Sequence, residues 1–173
     1  MSGLGRLPRV WELPHNDPDH HDVFPGGRAG KLVPRSGPVV ARIFVYGTLL
    51  SGEPNHRLLV SAKFIGEART RPEFTFHDLG GCPGAVRYSK LEPVAIVGEL
   101  YAVDAETLAA LDRLEGHPRF YRRTDVVLAD GTKAQTYVLP TDYATRPAIP
   151  SGSWRAHIGK KRDANHNERR PKV

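Results

Sequence analysis

GELYAVDAETLAALDRLEGHPRFYRR, Gly98 to Arg123, joins a strand to a helix and ends the helix on a carboxylate. The run VAIVGELYAV, Val94 to Val103, reads as the strand. Asp104 is then a plausible N-cap, with Glu106 and Thr107 in the first turn. Leu108, Leu111 and Leu114 recur at a spacing of three and mark the apolar side of a helix. Gly116 follows and can adopt the left-handed conformation that closes a helix. Glu115 lies four residues after Leu111 and seven after Leu108, which places it on the leucine face. Burial and the negative end of the helix dipole both oppose its ionisation. A raised pKa is therefore expected, as suits a general base or acid near neutral pH. A fraying helix end would instead release Glu115 into solvent.

Composition bounds the rest. A chain of 173 residues suffices for one domain with a core and is short for two. No segment approaches the ~20 apolar residues of a membrane span. Nor does the N-terminus carry the apolar core of a secretory signal, so a cytoplasmic location is expected. The single cysteine, Cys82 in GGCPG, excludes an internal disulfide and a cysteine-cluster metal site. The net charge of +6 is concentrated at one end. Residues 41–150 hold thirteen basic and thirteen acidic side chains, whereas residues 151–173 hold seven basic and two acidic. The high pI of about 9.7 thus says little about what the folded part binds. The basic tail lacks aromatic interleaving beyond Trp154, which argues against nucleic acid as the partner.

Three regions are expected: a loosely attached extension over 1–38, a domain over 39–157 and a basic tail over 158–173. The extension is rich in Pro, Gly, His and Asp; His20 and His21 beside Asp19 and Asp22 read as a solvated polar run rather than a metal site. Order begins at VVARIFVYG, where Ile43 to Tyr46 has the composition of a buried strand. A short helical stretch is expected around PNHRLL, and strands at FTFHDLG and PGAVRYS. TDVVLADGTKAQTYVLP reads as a hairpin turning at Asp130-Gly131. The order of elements is not a regular βαβ alternation, so the expected class is α+β with a mixed sheet that curls or closes.

FVYGTLLSGEPNHRLL, Phe44 to Leu59, is the second informative stretch. A strand ending in Tyr-Gly-Thr-Leu hands the chain to a loop that can expose successive backbone N–H groups, a small nest for an anion or oxyanion. Gly47 lets backbone approach a neighbour closely. The P-loop spacing is absent, so this is not a nucleotide motif of that kind.

FVYGTL, GELYAVD and LDRLEG followed by FYRR stand in the order seen in the γ-glutamylcyclotransferase superfamily, and the chain from about 42 to 157 resembles its AIG2-like, γ-glutamylamine cyclotransferase branch. YGTL with NHRLL, and SGSWR near the end, add to that likeness. Cys82 departs from it, because the matching loop often carries an aromatic residue. The resemblance implies a small mixed β-barrel flanked by helices. It implies a C–N lyase chemistry in which the α-amine of a γ-glutamyl group attacks its own γ-carbonyl, closing 5-oxoproline and releasing an amine. Glu115 takes the place of the catalytic glutamate, and Tyr46, Gly47, Thr48, Leu49 and Tyr121 the places of substrate-binding residues. Arg122 or Arg123 could meet a substrate carboxylate; strand alternation turns only one inward. Neither metal nor cofactor is implied, and the partner is a small γ-glutamyl molecule. A γ-glutamyl acyltransferase, or a non-catalytic binding domain on the same fold, are the alternatives. The oligomeric state and the leaving amine are not legible.

Overall fold

The computed structural model describes residues 37–87 and 89–168. The histidine-bearing part of the N-terminal extension, including His15, His20 and His21, lies outside the described residues. Among the described residues seven strands form: β1 (Ala41–Val45), β2 (Lys63–Arg69), β3 (Phe74–Asp78), β4 (Pro83–Arg87), β5 (Val97–Val103), β6 (Arg122–Val127) and β7 (Lys133–Val138). The same residues hold two α-helices, α1 (Ala105–Leu114) and α2 (Trp154–Glu168). The sheet order is β2-β5-β1-β7-β6, with β1 and β7 parallel and the remaining neighbours antiparallel. β3 and β4 make a separate hairpin. The fold is therefore the expected mixed α+β, with one difference. The curled sheet does not close into a continuous barrel: the end of β2 meets the end of the β6–β7 hairpin only through an isolated Thr70–Leu128 bridge.

The central strand β1 is apolar on both faces and is buried on both. Phe44 and Tyr46 face one cluster with Phe74, Phe76, Leu100 and Trp154. Ile43 and Val45 face the other, with Leu59, Tyr101, Leu111 and Tyr137. Helix α1 covers this second face. Leu111 is fully buried, and Leu108 and Leu114 pack against the same cluster. The N-cap is as read from sequence, with Asp104 accepting from the Thr107 amide at 2.8 Å.

PNHRLL gives the expected short helical stretch, as a single 3-10 turn at His56–Leu59. The basic segment after Ile158 shows no core pattern in sequence, yet it is helical through Glu168. Its anchor lies at the start of α2, where Trp154 is buried and stacks on His157. His157 and Lys161 both reach the buried carboxylate of Asp78 at the end of β3. Among the described residues, no helix is long and apolar enough to cross a membrane.

Candidate active site

Glu115 stands directly after α1 as its C-cap, with helical backbone angles of −80° and −3°. It does not fray. Gly116 takes a left-handed φ of +62°, and two bonds of a Schellman turn lock the end: His117 N–H to the Asp112 carbonyl at 2.9 Å and Gly116 N–H to that of Arg113 at 3.2 Å. The returning chain adds a third tie, from the Tyr121 N–H to the Glu115 carbonyl at 3.1 Å. A side-chain network fixes the same turn. Asp112 accepts from the Tyr137 hydroxyl at 2.7 Å and from Arg123 Nε at 3.0 Å.

The Glu115 residue as a whole is only partly covered, but its carboxylate is crowded enough for burial to push the pKa up to about 7. Four acidic side chains feel its charge. Burial first, then the Glu115 carboxylate, raise the Tyr46 phenol. Tyr121, Tyr137 and the Cys82 thiol are likewise raised by burial and, in part, by Glu115, the thiol to about 11. At neutral pH Cys82 is therefore a thiol and a poor nucleophile. Its sulfur lies 3.9 Å from the Tyr121 hydroxyl and, among the described residues, bonds no histidine.

The Tyr-Gly-Thr-Leu loop reaches the same place. Tyr46 is buried, and its hydroxyl donates to the Tyr137 carbonyl and accepts from the Ala85 amide at 3.3 Å. Tyr121 is also buried and donates to the Pro83 carbonyl at 2.9 Å. Pro83 in turn packs on Gly47, where a β-carbon would sit 2.8 Å from the proline ring. Both phenols thus spend their protons inside the fold. The loop is shaped by its own bonds: Leu50 N–H to the Gly47 carbonyl, Asn55 N–H to that of Thr48, and Asn55 Nδ2 to Thr48 Oγ1. Among the described residues, the N–H groups of Gly47, Thr48 and Leu49 have no acceptor. Successive unengaged amides form the kind of nest that holds an anion or a developing oxyanion.

Of the two arginines, Arg122 is exposed and Arg123 is partly buried. Arg123 is already engaged with Asp112 and, through Nη1, with Gln135 at 2.6 Å. Three buried or half-buried acids that pair with basic side chains escaped the sequence reading: Asp78, Asp112 and Glu99. For Glu99 a signal existed, as the only charge in the apolar run VAIVGELYAV. Among the described residues, no group of three or more His, Cys, Asp and Glu side chains is placed to share a metal ion.

The family model for "Gamma-glutamyl cyclotransferase, AIG2-like" matches residues 43–156, which include the loop and Glu115. The chain belongs to this γ-glutamylcyclotransferase family. A Vibrio cholerae protein, provisionally named a γ-glutamylcyclotransferase, is 40% identical over 112 residues, covering 65% of this chain and 93% of its own. Human γ-glutamylaminecyclotransferase is 37% identical over 98 residues, 49% of this chain and 60% of that one. A mouse AIG2-like protein of known structure superposes with a TM-score of 0.54 at 29% identity, over 64% of this chain and 86% of that one. An uncharacterised Pyrococcus horikoshii protein gives 0.59 at 28% identity, over 76% and 100%. The γ-glutamylcyclotransferase match thus runs from β1 to the start of α2.

Proposed function

We propose that this protein cyclises γ-glutamyl amines or peptides to 5-oxoproline and a free amine, with Glu115 as the proton carrier and the Gly47–Leu49 amides as the oxyanion site. The observation that carries the reading is Glu115 itself: a carboxylate locked at a helix end, with a pKa of about 7 and no side-chain partner among the described residues. Near neutral pH such a group can accept a proton and return it, the property required of a general acid–base.

The steps balance without a co-reactant. Glu115 takes a proton from the substrate α-ammonium and frees the nitrogen lone pair. The α-nitrogen attacks the γ-carbonyl carbon, and the carbonyl electron pair moves onto oxygen beside the loop amides. Losing one donor of such a site costs roughly 3 kcal/mol. When the tetrahedral carbon collapses, the bond to the departing nitrogen breaks and Glu115 returns the proton to it. Glu115, ionised again, takes the second surplus proton from the α-nitrogen, which becomes the lactam N–H, and passes it to the leaving amine, which departs as an ammonium ion. Because nucleophile and electrophile share one molecule, the site's main task is to hold a folded conformer.

A panel of γ-glutamyl amines and γ-glutamyl dipeptides, analysed for 5-oxoproline by mass spectrometry, tests the reading. Formation of 5-oxoproline with stoichiometric free amine is expected for at least one class. Free glutamate in its place would mean that water, rather than the substrate's own amine, is the nucleophile. Absence of turnover across the panel would favour a binding domain.

A further inference from the structure

Glu99 lies in the middle of β5, the strand between β1 and β2, and only 3% of it is exposed. A buried carboxylate needs several donors to remain ionised. Glu99 has them. Its Oε2 accepts from the Ser51 amide at 2.9 Å, from the Ser51 hydroxyl at 2.9 Å and from the Tyr101 hydroxyl at 2.8 Å. Its Oε1 accepts from Arg155 of α2 at 2.8 Å. Burial works against ionisation, but these bonds outweigh it and lower the pKa. Two of the donors belong to Ser51, and Arg155 also donates to the Ser51 carbonyl at 2.6 Å. Every polar atom of Ser51 is therefore held by Glu99 or by the arginine paired with it.

Ser51 sits in the loop that presents the free amides, one residue after Leu50, whose N–H closes on the Gly47 carbonyl at 3.0 Å. Beyond Ser51 the loop hydrogen-bonds back to itself through Asn55 and Thr48, while Leu49 and Leu50 pack into the core and the His56 ring lies against Tyr101. The Glu99–Ser51 pair adds a direct hydrogen-bonded link from this loop to β5, next to the central strand. We propose that Glu99 is a positioning residue for catalysis: with Arg155 it clamps Ser51 and so fixes the direction in which the Gly47, Thr48 and Leu49 amides point. The role rests on the function proposed above, in which those amides hold the oxyanion. It also explains why a carboxylate stands there, since the loop needs one acceptor for two Ser51 donors and a second oxygen for the guanidinium. A Gln side chain has a single acceptor oxygen and places an NH2 against one of these donors.

The test compares wild type, Glu99→Gln, Ser51→Ala and Arg155→Gln by steady-state kinetics across pH and by amide NMR without ligand. A small displacement of a catalytic group can cost ~10²-fold in rate. Glu99→Gln is expected to lower kcat at least ~10-fold with little change in KM, while the acid limb near pH 7 set by Glu115 stays in place. Ser51→Ala and Arg155→Gln, each of which removes part of the clamp, are expected to give smaller falls of the same kind. The Thr48 and Leu49 amide resonances should shift in all three variants. A folded Glu99→Gln protein with wild-type kcat overturns the proposal. So does a Glu99→Gln spectrum whose Gly47–Leu49 amides superimpose on those of wild type. If the wild type itself makes no 5-oxoproline, the function proposed above fails, and the NMR comparison still decides the clamp. If Glu99→Gln does not fold, Ser51→Ala carries the kinetic test, and wild-type kcat in that variant overturns the proposal.

Discussion

The ring of Pro83 lies 2.8 Å from the point where a β-carbon on Gly47 would stand. Gly47 lies in the step from β1 to the amide loop, and Pro83 opens β4. Neither a strand backbone nor a proline ring can swing aside, so Gly47→Ala must push the two apart. A loss of ~1–3 kcal/mol in stability is expected from overpacking, read in urea melts. Turnover should fall further than stability, because the displaced residues carry the amides. A Gly47→Ala protein with wild-type melting and turnover would mean that the contact is loose.

The carboxylate of Asp78 joins the hairpin to α2. Burial opposes its ionisation, but hydrogen bonds from Lys161, His157 and the Gly80 amide hold its pKa down to about 2. Because the folded pKa lies below the unfolded value, the stabilisation is complete above about pH 4 and is lost as pH falls towards 2. Roughly 1–2 kcal/mol of stability should disappear over that window, and Asp78→Asn should flatten it. Truncation before Lys161 should likewise lower the melting temperature. Identical acid denaturation curves for wild type and Asp78→Asn would show that α2 does not depend on this anchor.

Cys82 sits beside the site without the means to act as a nucleophile. Burial is the main reason its pKa is pushed up to about 11, and the Glu115 charge adds to it. Cys82→Ser should retain activity within ~3-fold, given that the thiol supplies no proton or electron pair to the proposed steps. A folded but inactive serine variant would require a thiol mechanism.

Where the sequence was readable, a local rule and the tertiary outcome agree. Asp104, the leucine spacing and Gly116 define α1 and place Glu115, because capping and periodicity act over a single turn. β2 left no such trace: KFIGEAR is an edge strand, exposed at five of its seven positions, with a bulge at Ile65 that breaks alternation. The helical character of α2 was hidden for a related reason. Its hold on the domain comes from one tryptophan, from two basic side chains meeting a distant aspartate and from Arg155 on Glu99, and no periodicity marks that. Nor could strand alternation foresee that Arg123 would be consumed by Asp112, eleven residues earlier in the chain.

The most direct measurement is the pH–rate profile of Glu115→Gln beside wild type. The amide keeps the shape of the carboxylate but cannot accept the ammonium proton. In the wild type, kcat/KM should fall as pH drops through about 7, where Glu115 becomes protonated. In Glu115→Gln, turnover should drop at least ~10²-fold and that acid limb should vanish from any residual activity. Stability gives an independent check. The folded state binds the Glu115 proton more tightly than the unfolded state does, so wild-type stability declines as pH rises from about 4.5 to 7. Above pH 7 the glutamine protein should therefore be at least as stable as wild type. A folded Glu115→Gln protein that forms 5-oxoproline at the wild-type rate, with the acid limb intact, would contradict the assignment of Glu115 as the proton carrier.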